Sequence, residues 1–292
     1  MRHAELFQPN AEELSILKNY EPLAELKVVD SVGISEGRQS RVSILEYGTS
    51  ELKKRVIWKR MGVGKNLNRE EAQMLEQRLW PYRQSLALFN WQVPEIYHSQ
   101  VVQIENEYQI FSYDQYISGG DAEHMILNPN EPNFRKWYLL RKVLEHMSDY
   151  PIDQTKKITA SNKELTLLPH GLDLKLANIV LADNKMYFVD FFGPKELTAD
   201  GQWKTYSPKL DELAPPNLMA VTATREGAFL RLYRLLEKNW TETADIPKDV
   251  LREKLYELLN LGSLPKKECE LIISEISNDY PWLDSIYKEQ QV

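Results

Sequence analysis

Apolar and polar positions divide this chain into a strand-rich first part and a helix-rich second part. Residues 9–19 read as a short helix, with Asn10 as N-cap ahead of Ala11, Glu12, Glu13 and Leu14. β-Branched and aromatic residues then cluster at 27–29, 41–47 and 55–59, punctuated by Gly33, Gly37 and Gly48, which predicts strands. Asn68 caps a helix running from 69 to about 82, with Glu70 and Glu71 in its first turn. Two further strands are expected at 93–97 and 108–111, and a break at 118–121. Trp137, Leu140 and Leu144 stand at helical spacing within 134–148. Short apolar runs at 179–181 and 187–189 read as strands. Residues 194–217 are polar and rich in proline and glycine, a long loop of the kind that often serves function. Helices are expected over about 222–239, 247–261 and 266–278. The chain has neither an internal repeat nor a low-complexity segment.

The chemistry concentrates between 165 and 191. His170-Gly171-Leu172-Asp173-Leu174-Lys175-Leu176-Ala177-Asn178 leads into one apolar strand, and Asp190 follows the next. Phosphoryl transfer from Mg-ATP needs such a set: one carboxylate to orient the attacking hydroxyl and take its proton, an amide oxygen and a second carboxylate for the metal ions, and a cation for the phosphoryl group. A chance match in a loop before an ordinary buried strand would explain one Asp and one Asn. Four polar groups in this order, set at strand ends, fit a site better than a core.

The run resembles the catalytic and metal-binding loops of the protein-kinase-like superfamily, and among its members the aminoglycoside- and choline-type small-molecule phosphotransferases. The resemblance implies an α+β, bilobal fold. An N-terminal antiparallel sheet lobe with one helix would span residues 1–115, and a mostly helical C-terminal lobe residues 116–292, with ATP in the cleft between them. It makes Asp173 the catalytic base, Asn178 and Asp190 the Mg2+ ligands, and Lys175 a charge on the transferring phosphoryl group. Lys59, in Val56-Ile57-Trp58-Lys59-Arg60, resembles the third-strand lysine that holds the α- and β-phosphates, with a helix carboxylate as its partner. Glu71 is the preferred partner and Glu76 its rival. The competing reading of Lys59 is a solvated strand end, since Lys53, Lys54, Arg55 and Arg60 are close by. Gly37 and Ser40, in Gly37-Arg38-Gln39-Ser40-Arg41-Val42, stand where a phosphate-covering loop belongs, although a plain hairpin turn fits them equally well. Tyr113 to Tyr116 occupy the adenine-contacting hinge by position, with Tyr116 lining the pocket.

Composition narrows the partners. With 292 residues, 42% of them hydrophobic, the chain is long enough for a large core or two lobes. A net charge of -7 disfavours non-specific nucleic-acid binding. The single cysteine, Cys269, excludes an intrachain disulfide and a cysteine-based zinc site, and reads as a packed or partly exposed thiol. No membrane-length apolar run or signal-peptide pattern is present, so a cytoplasmic protein is expected. Two departures from the superfamily pattern matter. His170 stands three residues before Asp173 instead of two, and Asp190 is followed by Phe191-Phe192-Gly193, one residue more than Asp-Phe-Gly. The reading is an ATP- and Mg2+-dependent phosphotransferase acting on a small-molecule hydroxyl. Its rivals are a protein Ser/Thr kinase, with 194–217 as activation segment, and a pseudokinase that binds or scaffolds. The acceptor and the oligomeric state are not legible in the sequence.

Overall fold

The computed structural model describes residues 27–30, 40–48, 53–87, 91–148, 156–160, 162–167, 175–190, 220–243 and 246–289. The expected helix at 9–19, Gly37, His170, Asp173 and the loop at 194–217 lie outside the described residues.

The architecture is α+β, an antiparallel sheet with one helix followed by a mostly helical part. Five strands form the first sheet: β1 (Lys27–Asp30), β2 (Ser40–Gly48), β3 (Lys53–Met61), β4 (Ile96–Ile104) and β5 (Glu107–Gln115). Their order is β1-β2-β3-β5-β4, and every neighbouring pair is antiparallel. Period-two alternation gives the sheet two buried faces. Leu45, Val56, Trp58, Phe111 and Tyr113 pack on one, with the Trp58 and Phe111 rings edge to face at 5.6 Å. Met61 and Ile110 on the other meet α1 (Arg69–Ala87). That helix buries Ala72, Leu75, Leu79, Tyr82 and Leu86, a stripe at alternating spacings of three and four residues. Its last part, Tyr82 and Leu86, belongs with Trp91 to the core of the helical half, so α1 spans both cores. The fourth strand begins at Ile96, later than the sequence suggests, because Pro94 has no N–H for a ladder.

The second half is built around α4 (Arg225–Thr243), buried from Ala223 through Leu230. Packed with it are α2 (Ala122–Leu127), α3 (Asn133–Ser148), α5 (Lys248–Leu261), α6 (Lys266–Ser277) and α7 (Pro281–Glu289). The last of these was not expected from the sequence, although proline at the first helical position is a start signal. Two small sheets complete this half. β7 (Lys156–Ala160) pairs with β8 (Lys163–Leu167), and β6 (Gly120–Asp121) joins β9 (Ile179–Ala182) and β10 (Lys185–Phe188). Gly119 makes that last pairing possible, because a Cβ there would stand 2.1 Å from the Leu181 carbonyl oxygen. Among the described residues no helix is long and apolar enough to cross a membrane. Cys269 is a buried free thiol.

A buried polar cluster ties β8, the strand before the Asp173 run, to α4 and α6. The Thr166 N–H donates to both carboxylate oxygens of Glu226, at 3.0 and 2.8 Å. The Thr166 hydroxyl donates to Glu268 at 2.6 Å, and Arg225 donates to both Glu268 oxygens, at 2.7 and 3.1 Å. Burial pushes the Glu268 carboxyl up, but the hydrogen bonds from Arg225 and Thr166 outweigh it and leave it below the usual range. At Glu226 burial, then the charge of Glu268, push the carboxyl up from 4.5 to about 7. Folding therefore favours neutral Glu226. Its contribution is complete below about pH 4.5 and is lost as the pH rises through about 7. Glu226→Gln, which keeps an acceptor and cannot ionise, is expected to gain on the wild type by up to about 3 kcal/mol between pH 5 and pH 8. Urea unfolding at the two pH values measures this, and a gap that does not change with pH sinks the assignment.

Candidate functional site

The strand register puts Lys59 opposite Ser112 and Ile57 opposite Asp114, so the side chains of Lys59, Ser112 and Asp114 share the sheet face that meets α1. An ammonium held between apolar neighbours needs an acid. Lys59 Nζ lies 3.1 Å from Asp114 Oδ2, and Arg83 on α1 approaches the same oxygen at 2.7 Å. Arg83 also donates to the Pro94 carbonyl at 3.0 Å. Asp114 and Arg83 are each 1% exposed. Burial pushes the Asp114 carboxyl up, but the charges of Lys59 and Arg83 prevail and hold it below the usual carboxylate range. Burial lowers the Arg83 guanidinium, against the pull of Asp114.

Asp114 was not among the acids expected beside Lys59, and the expected ones have contacts of their own. Glu71 is the third residue of α1, and its carboxylate accepts the Asn68 N–H at 2.7 Å while Asn68 Oδ1 accepts the Glu71 N–H at 2.9 Å. That reciprocal pair is a capping box, which satisfies two N–H groups the helix start leaves open. The rival, Glu76, accepts a hydrogen bond from the Ser99 hydroxyl. The sheet thus supplies an acid to Lys59, and the helix contributes a cation to the same carboxylate.

The ammonium of Lys59 also reaches the second half of the chain. Its Nζ donates to the Val189 carbonyl at 2.6 Å, one residue before Asp190. Val189 in turn donates its N–H to the Asn178 carbonyl at 2.9 Å. Asn178 Nδ2 stands 3.5 Å from Asp190 Oδ2. Lys59, Asn178 and Asp190, far apart in sequence, are therefore brought together. Asn178 closes a 3-10 turn, Leu176–Asn178, by donating its N–H to the Lys175 carbonyl at 2.9 Å. Buried Leu176 and Ile179 anchor this turn, and the side chains of Lys175 and Asp190 are exposed. The Asn178 amide and the Asp190 carboxylate meet at a solvent-open edge, and a turn of the amide would present its oxygen beside the carboxylate, the hard donors that suit Mg2+.

Ser40 and Tyr116 are the other expected residues among those described. Ser40 begins β2, its backbone opposite Met61. Tyr116 follows β5 and is half-buried, with the Arg55 guanidinium 5.6 Å over its ring.

No family model matches the chain, and no curated protein matches it. The chain is similar in structure to the kinase domain of PknI from Mycobacterium tuberculosis, at 13% identity and a TM-score of 0.42, covering 88% of this chain and 96% of that one. It is also similar to a chain of the Neurospora crassa complex of PAN2 (WD40-CS1) with PAN3 (pseudokinase and C-term), at 10% identity and a TM-score of 0.43, covering 97% and 72%. At such values the site's own side chains are the better guide to function.

Asp114 and Arg83 were missed in the sequence. Their signal was present: a carboxylate ending the apolar strand run Ile110-Phe111-Ser112-Tyr113, and an arginine beside the buried stripe of α1. Charges at such positions need each other.

Proposed function

We propose that this chain is an ATP-dependent phosphotransferase that moves the γ-phosphoryl group of Mg-ATP to a hydroxyl group. The observation that supports it best is the convergence of Lys59, Asn178 and Asp190 through the Val189 carbonyl. Asn178 and Asp190 would hold Mg2+, which when bound neutralises charge on the phosphate oxygens. Lys59 is placed to leave Val189 and take up a phosphate oxygen, with Asp114 keeping the ammonium charged and oriented. Lys175, exposed beside Asn178, supplies a second cation for the transferring group. Asp173 accepts the acceptor's hydroxyl proton as the new oxygen–phosphorus bond forms and the bond to the ADP oxygen breaks. Gly37 and Ser40 would cover the phosphates, and Tyr116 would lie beside the adenine.

The acceptor we favour is a small molecule, on the resemblance of Gly37-x-x-Ser40-x-Val42 to small-molecule kinases. A protein acceptor is the alternative, with Thr198, Thr205, Tyr206 and Ser207 as candidate autophosphorylation sites. One observation favours a second reading, a pseudokinase: the Lys59 ammonium is engaged by Asp114 and by a backbone carbonyl. Incubation with Mg-ATP, intact-mass analysis and an acceptor screen separate them. A phosphate-mass gain on small alcohols that disappears in Asp173→Asn supports the proposal. A gain on the chain itself within 194–217 favours the protein kinase, and no ATP consumption with any acceptor favours the pseudokinase.

A further inference from the structure

A cavity of about 350 Å³ lies in the helical half, between α2, the turn at Leu176–Asn178 and one face of α4. In a chain of net charge -7, four cations converge on it: Lys175, Arg231, Arg234 and Lys238. Glu123 is the acid among its described lining residues. Between the charges the wall is apolar, with Leu176, Ile179 and Leu232 buried and Leu235 half-buried. The residues of α4 involved, 231, 232, 234, 235 and 238, fall on one helix face. Of the cations, Arg234 pairs with Asp284 on α7. Glu123 is one carboxyl against four cations, so the lining stays net positive. It accepts the Ala177 N–H, yet burial, then the charge of Asp121, push its carboxyl above the usual range.

A cationic rim over an apolar wall selects an anion that carries hydrocarbon. The volume sets its size, at roughly a dozen heavy atoms if each takes up about the 30 Å³ of a water molecule in the liquid. That is the small end of ligand pockets and too little for a peptide helix. We infer that this cavity is a binding site for a small amphiphilic anion, a carboxylate or phosphate head on a medium-length apolar tail. The head meets Lys238 and the arginines, and the tail lies on Leu235, Leu232 and Ile179. Leu176 and Ile179 face this cavity while Asn178, between them in sequence, meets Asp190. The ligand therefore touches the turn that carries Lys175 and Asn178 of the proposed phosphoryl-transfer site, and its binding needs no nucleotide.

Isothermal titration with octyl phosphate, octanoate and octyltrimethylammonium, each below its micelle concentration, tests this on the full chain without ATP. One-to-one binding of at least one anion and none of the cation is expected. The stronger of the two anions assigns the head group. Lys238→Glu is expected to weaken that anion about 5-fold, the equivalent of losing one partly screened ion pair. Leu235→Trp, which fills the cavity, is expected to abolish binding. Lys238 is an exposed side chain, so its variant keeps the test decisive if the tryptophan variant does not fold. Equal binding of the cation, no binding of either anion, or an affinity unchanged in Lys238→Glu overturns the inference.

Discussion

Asp114→Ala is expected to cost about 3–5 kcal/mol of folding stability, the usual result of removing one partner from a buried charge cluster. The size follows from what remains. Lys59 and Arg83, one 8% and the other 1% exposed, would lose the carboxylate they share. Asp114→Asn keeps the shape and removes only the charge, so it should lose nearly as much. Denaturant midpoints at unchanged slope measure both variants. An asparagine variant as stable as the wild type would mean that packing, and not charge, holds the cluster. The same group gives an acid limb. Because folding lowers the Asp114 pKa, its contribution is present above the ordinary value of 3.8 and is lost as the pH falls through the depressed one.

Lys59→Ala is expected to show the opposite balance. Asp114 keeps Arg83 at 2.7 Å, so no uncompensated charge is left and the stability loss stays near 1–3 kcal/mol. What disappears is the cation beside Asp190 and its contact with the Val189 carbonyl. If Lys59 holds the phosphates, turnover should fall by about 10²–10³-fold, the usual effect of losing one preorganised electrostatic group. Steady-state kinetics on any acceptor, or ATP hydrolysis alone, reads this directly. Turnover within a few-fold of the wild type would leave Lys59 as a structural strut of the Asp114 cluster.

Much of this was legible from periodicity. The capped helix after Asn68, the strands flanking it and the long helices of the second half announce themselves through spacing and caps. The hairpin at 156–167 did not, because Lys156, Lys157, Lys163 and Glu164 dilute its alternation. At the site, the spacing of Asn178 and Asp190 was readable because both follow or precede short apolar strands. The contact of Lys59 with Asp114 was not. Glu71 stands where a helix acid is expected, but its position three residues after Asn68 serves the cap. Asp114 is distant in sequence and is brought in by strand register, which the residues around Lys59 do not encode.

The measurement closest to the central claim is a thermal-shift titration with a non-hydrolysable ATP analogue, with and without Mg2+, on the wild type and Asp190→Asn. Ligand that binds the native state raises the midpoint by mass action. A functional phosphoryl-transfer site gives a rise that needs Mg2+ and is lost in Asp190→Asn, while the two proteins unfold alike without ligand. No rise, or a rise indifferent to both metal and mutation, would contradict the assignment of Asn178 and Asp190 and with it the proposed activity.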